Sequence, residues 1–139
     1  MRGTSPAGLM LSEIRKQITL EDATEYTSVS ASYETKKTFA GALVVPTGEL
    51  WELVAIDFER QIMGSITSVG GSKLLVNELD ACEWFTNAPA VYTWQYDRER
   101  NPTTVPFFEA GSYDIKIQLK MASANTMYSK DHKIKMGFS

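Results

Sequence analysis

Residues 44–59, VVPTGELWELVAIDFE, constrain the fold more than any other stretch of the chain. A β-branched pair ends at Pro46, Pro-Thr-Gly supplies a pre-set φ and a permissive residue, and residues 49–59 contain neither Gly nor Pro. This predicts strand, turn, strand: a hairpin, or a corner between two sheets. In the second arm Leu50, Val54, Ile56 and Phe58 fall at even positions and Trp51, Leu53 and Ala55 at odd ones. Both faces are therefore apolar, interrupted only by Glu52, Asp57 and Glu59. An antiparallel strand of that kind needs a sheet on one side and a second layer, or another subunit, on the other.

Period-two patterning recurs along the chain. In residues 112–121, Tyr113, Ile115, Ile117, Leu119 and Met121 share one face, and Asp114, Lys116, Gln118 and Lys120 share the other. Residues 24–39 put Val29, Ala31 and Tyr33 opposite Ser28, Ser30 and Ser32, which predicts a half-buried strand, and Gly41 predicts a bulge after it. Residues 61–69 predict a short strand closed by a Gly70-Gly71 turn, with another starting at Lys73. Residues 77–85 suit a short helix capped by Asn77, with Leu79, Cys82 and Phe85 on one side, equally with a continued strand. Residues 90–97 predict a strand carrying Tyr92, Trp94 and Tyr96 on one face. The chain is expected to end with a polar loop over residues 122–132 and a strand whose Lys133 and Lys135 protect a sheet edge.

These segments amount to about eight strands with at most one short helix, an all-β antiparallel sandwich of jelly-roll type. The domain spans residues 23–139, preceded by an N-terminal arm, residues 1–22, that carries Leu9, Leu11, Ile14, Ile18 and Leu20. At 139 residues the chain is long enough for one self-sufficient core. Its net charge of −3, with Lys and Arg dispersed, lacks the basic field of a nucleic-acid binder. The single Cys82 leaves no internal disulfide, and no long apolar run or secretory leader is visible, which predicts a soluble chain made in a reducing cytoplasm and not a membrane partner.

Catalytic chemistry is poorly supplied. His132 lies between Asp131 and Lys133, a context expected to be solvated, and Cys82 has the profile of a buried structural thiol. Asp57 and Glu59 share a face near Trp51, a pattern glycosidases use, but Asp-x-Glu followed by Arg60 reads first as a solvated salt-bridging tip. No catalytic, cofactor or metal residues are assigned. The strongest positive signal is the row Tyr92, Trp94, Tyr96: a core stripe first, then a subunit contact, then a carbohydrate platform.

Residues 46–53 (PTGELWEL) and residues 106–113 (PFFEAGSY), the latter leading into an alternating strand, resemble the pattern of small β-sandwich virion proteins of bacterial viruses, such as capsid-decoration, minor capsid or fibre proteins. The resemblance implies a non-enzymatic subunit that self-associates, often as a trimer, and docks on other virion proteins through its arm and loops. Trp51, Tyr92, Trp94, Tyr96, Leu9, Leu11 and Ile14 are then the interface candidates. The alternative is a carbohydrate-binding module that uses Trp51 or the Trp94 row.

Overall fold

The computed structural model describes residues 14–64, 68–100, 107–121 and 125–139, and among these there are strands but no helix. The strands are β1 (Lys16–Asp22), β2 (Tyr26–Ser28), β3 (Glu34–Gly64), β4 (Ser68–Val76), β5 (Leu79–Ala88), β6 (Thr93–Arg100), β7 (Phe107–Met121) and β8 (Met127–Phe138). Every pairing is antiparallel, in the order β1-β8-β3-β7-β4-β5, with β2 also on β8 and β6 also on β3.

The long strand β3 turns this ladder into a sandwich. Its first half pairs with β7, down to Glu52↔Phe107, and its second half pairs with β8 from Leu53↔Phe138 and with β6 on the other edge. One layer therefore holds β1, β2, β8, the second half of β3, and β6; the other holds the first half of β3, β7, β4 and β5. Residues 46–49 loop out between the pairs Val45↔Gly111 and Leu50↔Glu109, with Gly48 at φ +86°. Pro-Thr-Gly is thus a bulge within the β3–β7 pairing, neither a hairpin turn nor the corner between sheets, which comes at Leu53 where β3 changes partner. A further register shift between Leu53 and Ala55 accompanies the change of partner, and Leu53, Val54 and Ala55 are all buried. The apolarity of both faces follows from this crossing, where the strand is covered by each layer in turn.

The core lies between the layers. Leu43, Val45, Ile56, Phe58 and Ile62 of β3 meet Leu74 and Val76 of β4, Cys82 of β5, Ile115, Ile117, Leu119 and Met121 of β7, and Ile134, Met136 and Phe138 of β8. The alternation of β7 is realised as the sequence predicts, and Gly41 forms the expected bulge, at φ +59°.

Several expectations are corrected. The predicted strand over residues 24–39 is broken: β2 stops at Ser28, and β3 begins at Glu34 in the other sheet. Ser28 is buried, donating to the Leu119 carbonyl at 3.4 Å, while Val29 is exposed, so the crossing between sheets overrides the apolar alternation. Residues 77–85 form no helix. Asn77, at φ +52°, and Glu78 make the turn between β4 and β5, and Asn77 exchanges hydrogen bonds with the Asp114 backbone at 2.7 and 2.8 Å. The lysines of β8 guard no edge, because β8 lies between β1 and β3. Residues 125–132, expected as loop, are largely strand, and residues 122–124 lie outside the described ones. Lys16–Asp22, assigned from sequence to the arm, form β1 on β8, while residues 1–13 are outside the described ones.

Gly70 and Gly71 make no turn either; β4 runs straight through them. Glycine is needed there for close approach. A Cβ on Gly70 would lie 2.6 Å from Met127 Sδ, and one on Gly71 would lie 2.5 Å from Tyr33 Oη. Gly70→Val is therefore expected to overpack the buried methionines and cost about 1–3 kcal/mol in urea denaturation.

Candidate functional site

Three places in the sandwich concentrate polar or exposed aromatic side chains. The first is internal. Arg60 shares the inward parity of Ile56, Phe58 and Ile62 and is fully buried. Its Nη1 donates to Asp97 Oδ2 at 2.5 Å and its Nη2 to Ser72 Oγ at 3.3 Å, while the guanidinium lies 4.4 Å from the Phe58 ring centroid and 6.0 Å from that of Trp84. Burial lowers the pKa of this group and Asp97 works to raise it. Arg60, expected beside a solvated tip, is a core residue instead.

His132 is likewise buried, contrary to the expected solvated context. Its Nδ1 faces the Asp22 carbonyl at 3.1 Å and its Nε2 faces Ser129 Oγ at 2.8 Å. A carbonyl only accepts, so Nδ1 carries the proton and Nε2 accepts from the Ser129 hydroxyl. Desolvation lowers its pKa from the usual histidine value. Cys82 is a buried thiol, as the sequence suggests, and burial pushes its pKa up to about 12, far from thiolate reactivity.

The second place is the outer face of the β3–β6 pair. Register puts Gln61 opposite Trp94, Glu59 opposite Tyr96 and Asp57 opposite Arg98. Trp94 and Tyr96 are 46% and 63% exposed, which removes the core-stripe reading; their rings lie 6.0 Å apart at 20°. They point outward because the alternate residue Asp97 must face inward to meet Arg60. Asp57 accepts from Arg98 Nε at 2.9 Å and Arg100 Nη1 at 3.3 Å. That is the salt-bridged role expected of it, with different cations. Asp57, Glu59, Tyr96, Asp97 and Arg98 line a shallow depression of about 280 Å³. Tyr92 precedes β6 and leaves the row: its hydroxyl bonds Glu25, and Lys130 Nζ lies 4.0 Å from its ring centroid.

The third place is one end of the sandwich. An open cleft of about 530 Å³ is lined by Leu50, Leu79, Phe107, Phe108, Tyr113 and neighbouring residues. Leu50, Leu79 and Phe107 are 59%, 50% and 53% exposed, because the bulge of β3, the tip of the β4–β5 hairpin and the start of β7 converge there with nothing above them among the described residues. Phe108 of this cleft touches Phe138, 6.3 Å between centroids, and Phe138 receives the Arg15 backbone N–H. The first described residues, Ile14 and Arg15, therefore lie at this same end. Trp51 sits beside it, half-buried, 5.5 Å from Phe138 and 5.0 Å under Lys16 Nζ. Ile14 is exposed against Gly137, and Leu9 and Leu11 lie outside the described residues.

No protein-family model and no curated protein matches the sequence. Solved structures do match. The chain resembles T=1 particles derived from infectious bursal virus, with a TM-score of 0.54, 11% identity, and 97% of this chain against 35% of that one. It also resembles the VP2 subviral particle of infectious bursal disease virus, at 0.52 and 6% identity, over 91% of this chain and 34% of that one. It shares their fold. Dimeric latent PorU from Porphyromonas gingivalis matches as well, at 0.53 and 7% identity, over 99% of this chain and 14% of that one. The chain thus spans about a third of the length of the virus-particle chains and less of the third. At such identities the likeness is one of architecture, an antiparallel β-sandwich of jelly-roll type.

Proposed function

We propose that this chain is a non-enzymatic structural subunit of a larger assembly, a virion protein that self-associates and docks on a shell through its N-terminal arm and the loops of one end. The observation that carries the reading is the apolar end of the sandwich, where Leu50, Leu79 and Phe107 stand exposed around a cleft at the end where the described residues begin, at Ile14 and Arg15. Apolar side chains that cluster on a surface are the ordinary mark of a protein contact. Architecture shared with virus-derived particles supports it, and so does the use of the reactive residue types: His132 and Cys82 are sealed inside, and Asp57 is held in ion pairs. The finer reading, a decoration or minor capsid protein of a bacterial virus acting as a homo-oligomer in a virion built in the host cytoplasm, rests on the sequence resemblance. In it Leu9, Leu11, Ile14 and Trp51 belong to the contact.

The test is native mass by light scattering across a wide concentration range. The full chain is expected to exceed its monomer mass of 15.5 kDa, and Leu50→Asp with Phe107→Ser to restore that mass while leaving the fold intact by circular dichroism. Deletion of residues 1–13 is expected to weaken association too; the deletion stops there because β1 is a strand of the sheet. A strict monomer at every concentration, alone and with a candidate shell protein, would sink the proposal.

A further inference from the structure

The outer face of the β3–β6 pair has a different chemistry from the apolar end, and we infer that it is a binding site for neutral pyranose oligosaccharides, centred on Trp94, Tyr96 and Glu59. The inference is independent of the assembly reading, which concerns another surface. Three alternate cross-strand pairs, successive on this face, Gln61–Trp94, Glu59–Tyr96 and Asp57–Arg98, set two exposed aromatic rings beside an amide, two carboxylates and a guanidinium. The rings are near-parallel, at 20° and 6.0 Å. The polar groups around them are held by their neighbours: Gln61 Nε2 donates to Asp131 Oδ2 at 2.6 Å, and Asp57 is fixed by Arg98 and Arg100. Glu59 has no ion pair or side-chain hydrogen bond among the described residues, and it lines the depression next to Tyr96.

A pyranose ring has an apolar C–H face and a rim of hydroxyls. It asks for a flat π-surface with acceptors and donors around its edge, already oriented so that little entropy is lost on binding. This face meets that description. A protein partner fits it less well. Each aromatic here is directly opposite a charged or amide side chain, so a dry contact would strand Glu59, Asp57 and Arg98 away from water, whereas the cores of protein interfaces are depleted of charge. Sugar hydroxyls replace the water on those groups bond for bond. Trp94 and Tyr96 supply stacking surface, Glu59 an acceptor for adjacent hydroxyls, and Arg98 and Gln61 the donors and acceptors that fix the orientation of the sugar.

The full chain would be titrated with maltohexaose, cellohexaose, xylohexaose and mannohexaose by isothermal calorimetry, with tryptophan fluorescence in parallel. At least one is expected to bind saturably with a Kd of about 1 mM or lower. Trp94→Ala is expected to weaken that binding by about tenfold or more, equivalent to about 1.4 kcal/mol, with Trp94→Phe recovering most of it and Glu59→Gln giving a smaller loss. The pair Leu50→Asp and Phe107→Ser is expected to bind like the parent. Because Trp94 is exposed, Trp94→Ala should keep the parent melting temperature, so a loss of binding reports on the site. The inference is overturned if none of the four sugars binds at about 10 mM or if Trp94→Ala binds as the parent does. It is overturned equally if Trp94→Ala changes the native mass, since the face would then be a subunit contact.

Discussion

Replacing Asp97 with Ala is expected to lower the unfolding free energy by about 3–5 kcal/mol, the largest effect of any single side chain outside the apolar core. Arg60 is 0% exposed and Asp97 Oδ2, 2.5 Å from Nη1, is its one carboxylate partner among the described residues. Without it the guanidinium keeps its charge, since arginine is effectively never deprotonated, and among the described residues is left with the Ser72 hydroxyl, the Phe58 carbonyl at 3.5 Å and two aromatic rings. Its Nε already has no hydrogen-bond partner among the described residues. The cost comes from the charge left behind more than from the bond removed, and this makes the test specific. Arg60→Met combined with Asp97→Leu removes both charges, fills similar volume and is expected to recover most of the loss. Two curves settle it: guanidinium denaturation of Asp97→Ala and of the double variant. If the single variant matches the parent, or the double variant is no better than the single, the buried pair does not have the role given to it.

The same pair shows what could and could not be read from the sequence. The strands themselves were legible wherever apolar residues alternate without interruption: residues 112–121 became β7 with the predicted inward face. Arg60 has the parity of Ile56, Phe58 and Ile62, and His132 has that of Ile134, Met136 and Phe138. That parity is an inward one, whereas the charge of arginine and the polarity of histidine argue for solvent. What the sequence did not display was the partner that makes burial tolerable: Asp97 is 37 residues from Arg60, and the Asp22 carbonyl is 110 from His132. Long-range partners decided the other misses too. Residues 77–85 suit either period, and pairing with β4 chose the strand. Gly70-Gly71 carries the composition of a turn, but Met127 and Tyr33 crowd those positions from distant parts of the chain. Of the functional surfaces, Trp94 and Tyr96 were visible as an aromatic row whose facing could not be assigned until Asp97 was known to point inward. The apolar end was invisible, because Leu50, Leu79 and Phe107 come from three separate segments that only the fold brings together.

His132 gives the second large effect, through pH. Its Nδ1–H is given to the Asp22 carbonyl at the end of β1 and its Nε2 accepts from Ser129, so the neutral ring ties β1 to β8. Desolvation depresses its folded-state pKa below the value of 6.5 that the unfolded chain would show, and the nearby Arg60 charge adds to this, against the opposing influence of Asp22 and Asp131. Between the two values the unfolded state binds a proton that the folded state does not, so stability rises with pH across that window. The contribution is fully present above about 6.5 and is lost progressively as the pH falls toward the depressed folded value. Asp22 acts in a separate, more acid window. Burial works against its carboxylate, but hydrogen bonds from Tyr26 and Thr24 outweigh that and hold its pKa below 3.8, so its contribution is lost only as pH drops through that lower value. Urea midpoints measured from pH 8 to pH 4 should therefore fall for the parent as acid is added, starting near the unfolded histidine pKa. His132→Gln, which can still offer a donor and an acceptor but does not titrate, should begin less stable at pH 8 and show a flatter profile between about pH 6.5 and 5. A parent whose midpoint is constant over that range would mean the ring is solvated and protonates freely. A variant with the parent's slope would assign the pH dependence to the carboxylates instead.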